Sequence, residues 1–176
     1  MRKVTFGVAN SLDNYIARPD GAVDWLLWCK EVNEIMGAFW KTIDTVLMGR
    51  KTYEVALEQS KGKKNPAPGI KTYVFSRTLA ESKDKSVEIV RGDAARFVRK
   101  LKSEEGKDIC LMGGGEFARA MFEAKLIDEI GFNIHPVLLG AGVPLFLPMR
   151  RPIDLELIDC RPFRNGCFLV RYRVKN

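Results

Sequence analysis

Six short runs rich in β-branched and aromatic residues recur along this chain, and most are followed by a stretch with apolar residues at helical spacing. The runs are Lys3–Ala9, Thr45–Met48, Lys71–Ser76, Ser86–Val90, Asp108–Met112 and Asp128–His135. Each is short enough for a strand and is bounded by turn-forming residues. Trp25, Trp28, Val32, Ile35, Met36 and Phe39 keep a 3.6-residue period, which predicts a helix opening at Asp24 as its N-cap. Asp93 is placed to cap a second helix that carries Phe97, Val98 and Leu101. A strand followed by a helix returns the next strand in the same direction, so repeated units of this kind force parallel pairing.

The alternation breaks near the end of the chain. Leu155–Phe163 and Cys167–Val174 read as antiparallel strands around Asn165-Gly166, a two-residue hairpin signal. That turn would set Cys167 opposite Arg164 and Cys160 opposite Arg171, so these thiols would stay unbridged. The resulting expectation is an α/β fold with a mostly parallel central sheet, helices on both faces and a C-terminal antiparallel hairpin. At 176 residues with no linker-like segment, residues 1–176 read as one domain. The stretch 61–69, with Pro and Gly among its lysines, reads as a polar surface loop.

Several function classes fall away on residue counts. Cys29, Cys110, Cys160 and Cys167 form no CxxC pair and match no zinc spacing, so no metal site is expected. The lone histidine, His135, sits in an apolar run beside Pro136 and suits a structural place better than a catalytic triad. A zinc deaminase lacks its ligands here. The formal charge of +7 is spread along the chain and interleaved with acids, without a basic arm or an aromatic nucleic-acid motif. It suits an anionic small molecule at least as well as a polymer, so it decides little. No nucleic-acid partner is expected, with a basic nucleic-acid-binding domain left as a rival reading. No apolar run approaches the roughly 18 residues of a membrane span. The N-terminal segment meets Asn10, Ser11 and Asp13 too early for a signal-peptide core, so the cytoplasm is the expected location.

Two strand-to-helix turns carry the candidate chemistry: Met48–Tyr53 and Met112–Phe117. Ligands of open α/β sheets gather at the carboxyl ends of strands, where helix N-termini offer free N–H groups to anions. The first turn adds Arg50, Lys51 and the hydroxyl of Thr52. The second offers bare backbone through Gly113, Gly114 and Gly115. Ser76 and Arg77 supply a cation among hydroxyls at a third strand end. Gly113-x-Gly115-x-x-Ala118 satisfies a dinucleotide pattern, but it lies two-thirds of the way along the chain. On this motif alone, tight packing and phosphate binding both stand.

Val46–Glu54 resembles the corresponding segment of dihydrofolate reductases, and Leu111–Gly115 resembles their second glycine-rich turn. Leu12–Ala17 resembles the start of their mobile active-site loop. Val137–Phe146 is more similar still to the reductase domain of the bifunctional riboflavin-pathway deaminase-reductase and its stand-alone relatives. The resemblance runs from about Val4 to Phe168.

This resemblance implies a three-layer α/β/α dihydrofolate-reductase-like fold, NADPH as cofactor and a small-molecule substrate of pyrimidine or pterin type. By position, Gly49, Arg50, Lys51 and Thr52 would meet the diphosphate and the 2′-phosphate side. Ser76 and Arg77 would flank the adenosine 2′-phosphate, and Met112, Gly113, Gly114, Gly115 and Glu116 would form the second phosphate turn. Val8 and Ala9, with Ile16 and Ala17, would line the nicotinamide. The family's pattern also implies a cis Gly113–Gly114 bond. Asp24 is the candidate catalytic and substrate-binding acid, although helix capping explains it as well. Trp25 and Trp28 are candidate pocket walls, or core. Relatives often form homodimers, and Pro136–Pro148 offers an apolar surface for one. A nucleotide-binding protein without turnover, or a dihydrofolate-reductase-like activity, are the rival readings.

Overall fold

The computed structural model describes residues 1–59, 69–82 and 84–175, so the loop expected at 61–69 lies outside the described residues apart from Gly69. In chain order the elements are β1 (Val4–Ser11), β2 (Tyr15–Ala17), α1 (Lys30–Thr42), β3 (Ile43–Gly49) and α2 (Arg50–Gln59). Next come β4 (Lys71–Phe75), β5 (Val87–Val90), α3 (Ala94–Ser103), β6 (Asp108–Met112) and α4 (Gly115–Glu123). The chain ends with β7 (Glu129–His135), β8 (Val143–Pro144), β9 (Leu155–Pro162) and β10 (Phe168–Val174).

Eight strands form one sheet in the order β5-β4-β3-β6-β1-β7-β10-β9. The first six run parallel, while β10 pairs antiparallel with both β7 and β9. Parallel strands are buried on both faces, which is why β1, β3 and β6 are apolar runs without alternation. On one face Val98 and Leu101 of α3, with Ala118, Met121 and Phe122 of α4, close over Phe6, Leu111 and Ile130. Phe6 meets Phe122 and Phe132 edge-on, with ring centroids 5.9 and 5.5 Å apart. On the other face Phe39 and Trp40 of α1 and Tyr53 and Leu57 of α2 pack on Ile43, Val46, Met48 and Val74. The result is the three-layer α/β/α arrangement. All six parallel strands end at one edge of the sheet, and that edge is where the glycine turns lie.

The expected Asp93 cap is present: its carboxylate accepts the Arg96 N–H at 3.0 Å. Asp93→Ala should lower the unfolding free energy by about 1 kcal/mol. Urea titration of the two proteins checks this, and equal midpoints would remove the cap from the account.

Three local expectations are corrected. α1 begins at Lys30, not at Asp24, and its N-cap is Cys29 with no side-chain bond. The chain between Asp24 and Cys29 stays irregular because Trp25 is drawn into the sheet face against His135. The β9–β10 connection is a three-residue loop rather than a two-residue turn: Phe163 N–H donates to Cys167 O, and Gly166 takes φ 86°. That extra residue sets Cys160 opposite Val170 and Cys167 opposite Phe163. All four cysteines are free. Finally, no cis peptide bond occurs among the described residues, so Gly113–Gly114 is trans. Left-handed backbone at both glycines, with φ 57° and 66°, turns the chain instead.

Candidate functional site

The turn after β3 and the turn after β6 lie against each other. A Cβ at Gly113 would stand 2.8 Å from Thr52 Cγ2, and one at Gly114 would stand 3.3 Å from Thr52 Oγ1. The neighbouring strands bring this about, since β3 and β6 pair with Leu47 opposite Leu111 and Met48 opposite Met112. Beyond that pairing Gly49, still paired with Phe75 of β4, leads into α2, and Gly113 leaves the sheet through Gly114 into α4. A hypothetical Gly49 Cβ would lie 3.9 Å from Phe117 Cβ, and Phe117 in turn stacks on Phe75 at 4.6 Å.

α4 is preceded by Gly114, which makes no side-chain cap bond, and has Glu116 in its first turn; α2 carries no acid in its first turn. Instead α2 opens on Arg50 and Lys51, two cations at the end of the helix that already carries partial positive charge. Arg50 shares its charge with Glu54 one turn on, at 2.9 Å. Lys51 and Glu116 are exposed. This is an arrangement in need of an anion. A diphosphate would fit it: left-handed glycines, helix N-termini and cations converge, and Cβ atoms are missing where the two turns touch.

The third strand end adjoins this pair. Ser76 Oγ accepts from the N–H groups of Thr78 and Leu79 at 3.2 and 3.0 Å, which turns the chain directly after β4. Arg77, inside that turn, is exposed. On the other side Gly7 pairs with Met112, so Val8 and Ala9 run past the end of β6 beside the glycine turn. Val8 and Ile16 pack on the edge of the main core, and Ala17 is buried.

Two of the glycine positions are explained by packing. A Cβ on Gly115 would lie 2.7 Å from Leu145 O, and one on Gly142 would lie 2.2 Å from Ala17 O. The segment Gly142–Leu145 therefore runs between the loop after β1 and the start of α4, and it pairs with β2 as β8. Asp13 ties the same segment down by accepting from the Leu139 and Gly140 N–H groups at 3.1 and 2.8 Å. The Ser11 hydroxyl, 2.6 Å from Asp13, helps hold that carboxyl below its usual range.

Among the described residues the side chain of Asp24 bonds Arg18 and none of the glycine-turn residues. It is exposed and bonds Arg18 Nε at 2.6 Å. The hydrogen bond from Arg18 holds its carboxyl below the ordinary value, which keeps the group ionised near neutral pH. Trp28 is 68% exposed, whereas Trp25 is buried.

Sequence reasoning singled out His135 as structural but missed the polar group that surrounds it at the ends of β1 and β7. His135 is buried; its Nδ1 accepts the Leu27 N–H at 3.1 Å, and its Nε2 lies 3.1 Å from the Asn133 amide. The edge of the Trp25 ring meets it with centroids 5.3 Å apart. Only the position of a histidine at the end of an apolar strand could have pointed here. Burial lowers its pKa from the ordinary 6.5. An unfolded chain therefore takes up a proton first as pH falls, so this group's stabilisation is complete above about 6.5 and is lost as pH drops through the lowered value. Wild type should lose more unfolding free energy between pH 7 and pH 5 than His135→Gln. Parallel losses in urea titrations would refute the assignment.

No helix among the described residues is long and apolar enough to cross a membrane. Among known proteins, the model of the family described as RibD C-terminal domain matches residues 2–169. The uncharacterized protein YyaP of Bacillus subtilis (strain 168) is 31% identical over 180 residues, covering 97% of this chain and 94% of that protein. YwjB of the same organism is 33% identical over 163 residues, covering 92% of each. In structure, a protein of Shewanella sp. PV-4 described as belonging to riboflavin biosynthesis superposes with a TM-score of 0.84 at 26% identity, each chain covered in full. The deaminase/5-amino-6-(5-phosphoribosylamino)uracil reductase of Thermotoga maritima superposes with a TM-score of 0.72 at 16% identity. This chain spans 57% of that bifunctional protein.

Proposed function

Because the chain belongs to the RibD C-terminal domain family, we propose that it is an NADPH-dependent reductase acting on a C=N or C=O bond of a pyrimidine- or pterin-type substrate. The observation that carries this reading is the contact of Thr52 with Gly113 and Gly114, which makes one cradle of two turns far apart in sequence. NADPH would supply a hydride from its dihydronicotinamide. The chain's own part is to hold, orient and shield. Free amides of α2 and α4 with Lys51 and Arg50 would take the diphosphate, and Arg77 with Ser76 the adenosine 2′-phosphate. Val8, Ala9 and Ile16 would wall the nicotinamide. Asp24, ionised beside Arg18, would serve as an orienting acceptor rather than a proton donor.

The relatives support a riboflavin-pathway type of substrate, and residues 1–176 would act as a single reductase domain. The segment Pro136–Pro148 would serve a homodimer, with Leu138, Val143 and Phe146 among the exposed large apolar residues. Expression in the cytoplasm fits the supply of NADPH.

Titration with NADPH and NADH, followed by protein fluorescence, tests the cofactor. Arg77→Ala should weaken NADPH about tenfold or more and leave NADH unchanged, because only NADPH carries the 2′-phosphate. Equal effects on both would sink the assignment of Arg77. The exposed Asp24–Arg18 pair also fits a nucleotide-binding protein without turnover. NADPH oxidation with pyrimidine and pterin substrates separates the two readings, and unchanged turnover in Asp24→Asn would remove Asp24 from the site.

A further inference from the structure

Beside the proposed nicotinamide wall lies a polar group that the cofactor does not use. In the β1–β7 register Ala9 stands opposite Asn133 and Ser11 opposite His135, and residues paired in parallel strands share a face. Asn133 and His135 therefore occupy the face next to Ala9, and Trp25 meets His135 edge-on.

The hydrogen bonds of His135 fix the chemistry of its neighbour. Nδ1 accepts the Leu27 N–H at 3.1 Å, and the Cys167 thiol lies 3.4 Å from the same nitrogen. Nδ1 thus offers its lone pair, so the neutral ring carries its proton on Nε2. That proton needs an acceptor, and the side-chain amide of Asn133 is 3.1 Å away. Its carbonyl oxygen, not its nitrogen, must then face the ring, an assignment made from the network because the two amide ends have the same shape. The remaining end of the Asn133 amide is buried and has no partner among the described residues; with this orientation it is the NH2 group. Trp25 Nε1 is likewise buried without a partner, on a residue only 7% exposed. Two N–H donors next to one imidazole are left unmet among the described residues.

The geometry points to Asn133 and Trp25 as substrate-recognition residues whose N–H groups take carbonyl oxygens of an oxo-substituted nitrogen heterocycle, with His135 as the positioning residue that orients the Asn133 amide. This rests on the reading that the nicotinamide lies against Ala9. Donors select for oxygen acceptors, and a ring lacking them would leave both groups unpaired, which is a strong form of discrimination. The irregular chain from Ala22 to Cys29 lies over the site, and the Leu27–His135 bond fastens it to the sheet.

The test uses the NADPH-loaded protein with two probes: lumazine, a pteridine bearing two ring carbonyls, and unsubstituted pteridine. In ¹H–¹⁵N spectra the Trp25 indole cross-peak, identified by its loss in Trp25→Phe, should move with lumazine and stay in place with pteridine. By calorimetry Asn133→Leu should weaken lumazine about tenfold without changing NADPH affinity. His135→Leu should weaken lumazine similarly and shift the Asn133 side-chain amide peaks, while His135→Gln, which keeps an N–H donor, should retain part of the affinity. Lumazine binding no tighter than pteridine, or an indole peak that answers both alike, overturns the proposal. Loss of NADPH binding in the wild-type protein would instead overturn the cofactor reading, and this inference with it.

Discussion

Gly142→Ala should lower the unfolding free energy by about 3 kcal/mol, the upper end of what an overpacked core position costs. Its new methyl group would lie 2.2 Å from the Ala17 carbonyl oxygen and 3.3 Å from Tyr15 Cβ. The first neighbour is backbone, so no side-chain rotation relieves the clash; β2 and β8 must separate. Gly37 supplies the contrast within the same protein. It sits inside α1 with nothing within 4 Å of a Cβ. Gly37→Ala should raise stability by about 0.5–1 kcal/mol through helix propensity and unfolded-chain entropy. Urea titrations of both variants check the pair. A Gly142→Ala protein as stable as Gly37→Ala would mean that β2 and β8 do not approach as described.

Gly113→Ala should raise the dissociation constant for NADPH by about tenfold to a hundredfold, a loss of about 1–3 kcal/mol. Left-handed backbone at φ 57° disfavours any side chain, and the added Cβ would stand 2.8 Å from Thr52 Cγ2. Either Thr52 rotates or the turn recoils, and both displace the amides proposed to hold the diphosphate. Thr52→Ser deletes that methyl group while keeping the hydroxyl, so Gly113→Ala/Thr52→Ser should recover part of the affinity. Gly140→Ala is the control, with φ 72° but open space at the Cβ and no place in the cradle. It should lose stability and keep its affinity. An affinity for NADPH unchanged in Gly113→Ala would separate the glycine turn from the cofactor.

The strands were legible because buried parallel strands are written as short apolar runs between turn residues, and β6 matched its expected ends residue for residue. The Asp93 cap was legible for a similar reason: capping is local chemistry. What failed depended on distant partners. The aromatic period from Trp25 onward looked helical, yet Trp25 turns to His135, 110 residues later in the chain, and only the residues from Lys30 continue as helix. Asn165-Gly166 announced a hairpin correctly but not its length, and one added residue changed every cross-strand partner of Cys160 and Cys167. The glycine turn was located by its motif and by resemblance. Its trans backbone and its contact with Thr52 arise from two strands that pair across about 65 residues of sequence, which no local pattern records. The partner of Asp24 was within reach of sequence reasoning, since Arg18 is six residues away, but the absence of helix there was not.

Val143–Leu145 has one neighbour on each side that tolerates no added atom: Ala17 across Gly142, and Gly115 at the head of α4. The segment therefore acts as a spacer of fixed thickness between the loop after β1 and the amides of the second glycine turn. A shift of Tyr15–Ala17 toward the sheet cannot be absorbed there and must be handed on to α4. If the proposed cradle seats NADPH, that event and the position of the loop would share a single mechanical coordinate, and hydrogen exchange at Ala17 should slow when NADPH is added.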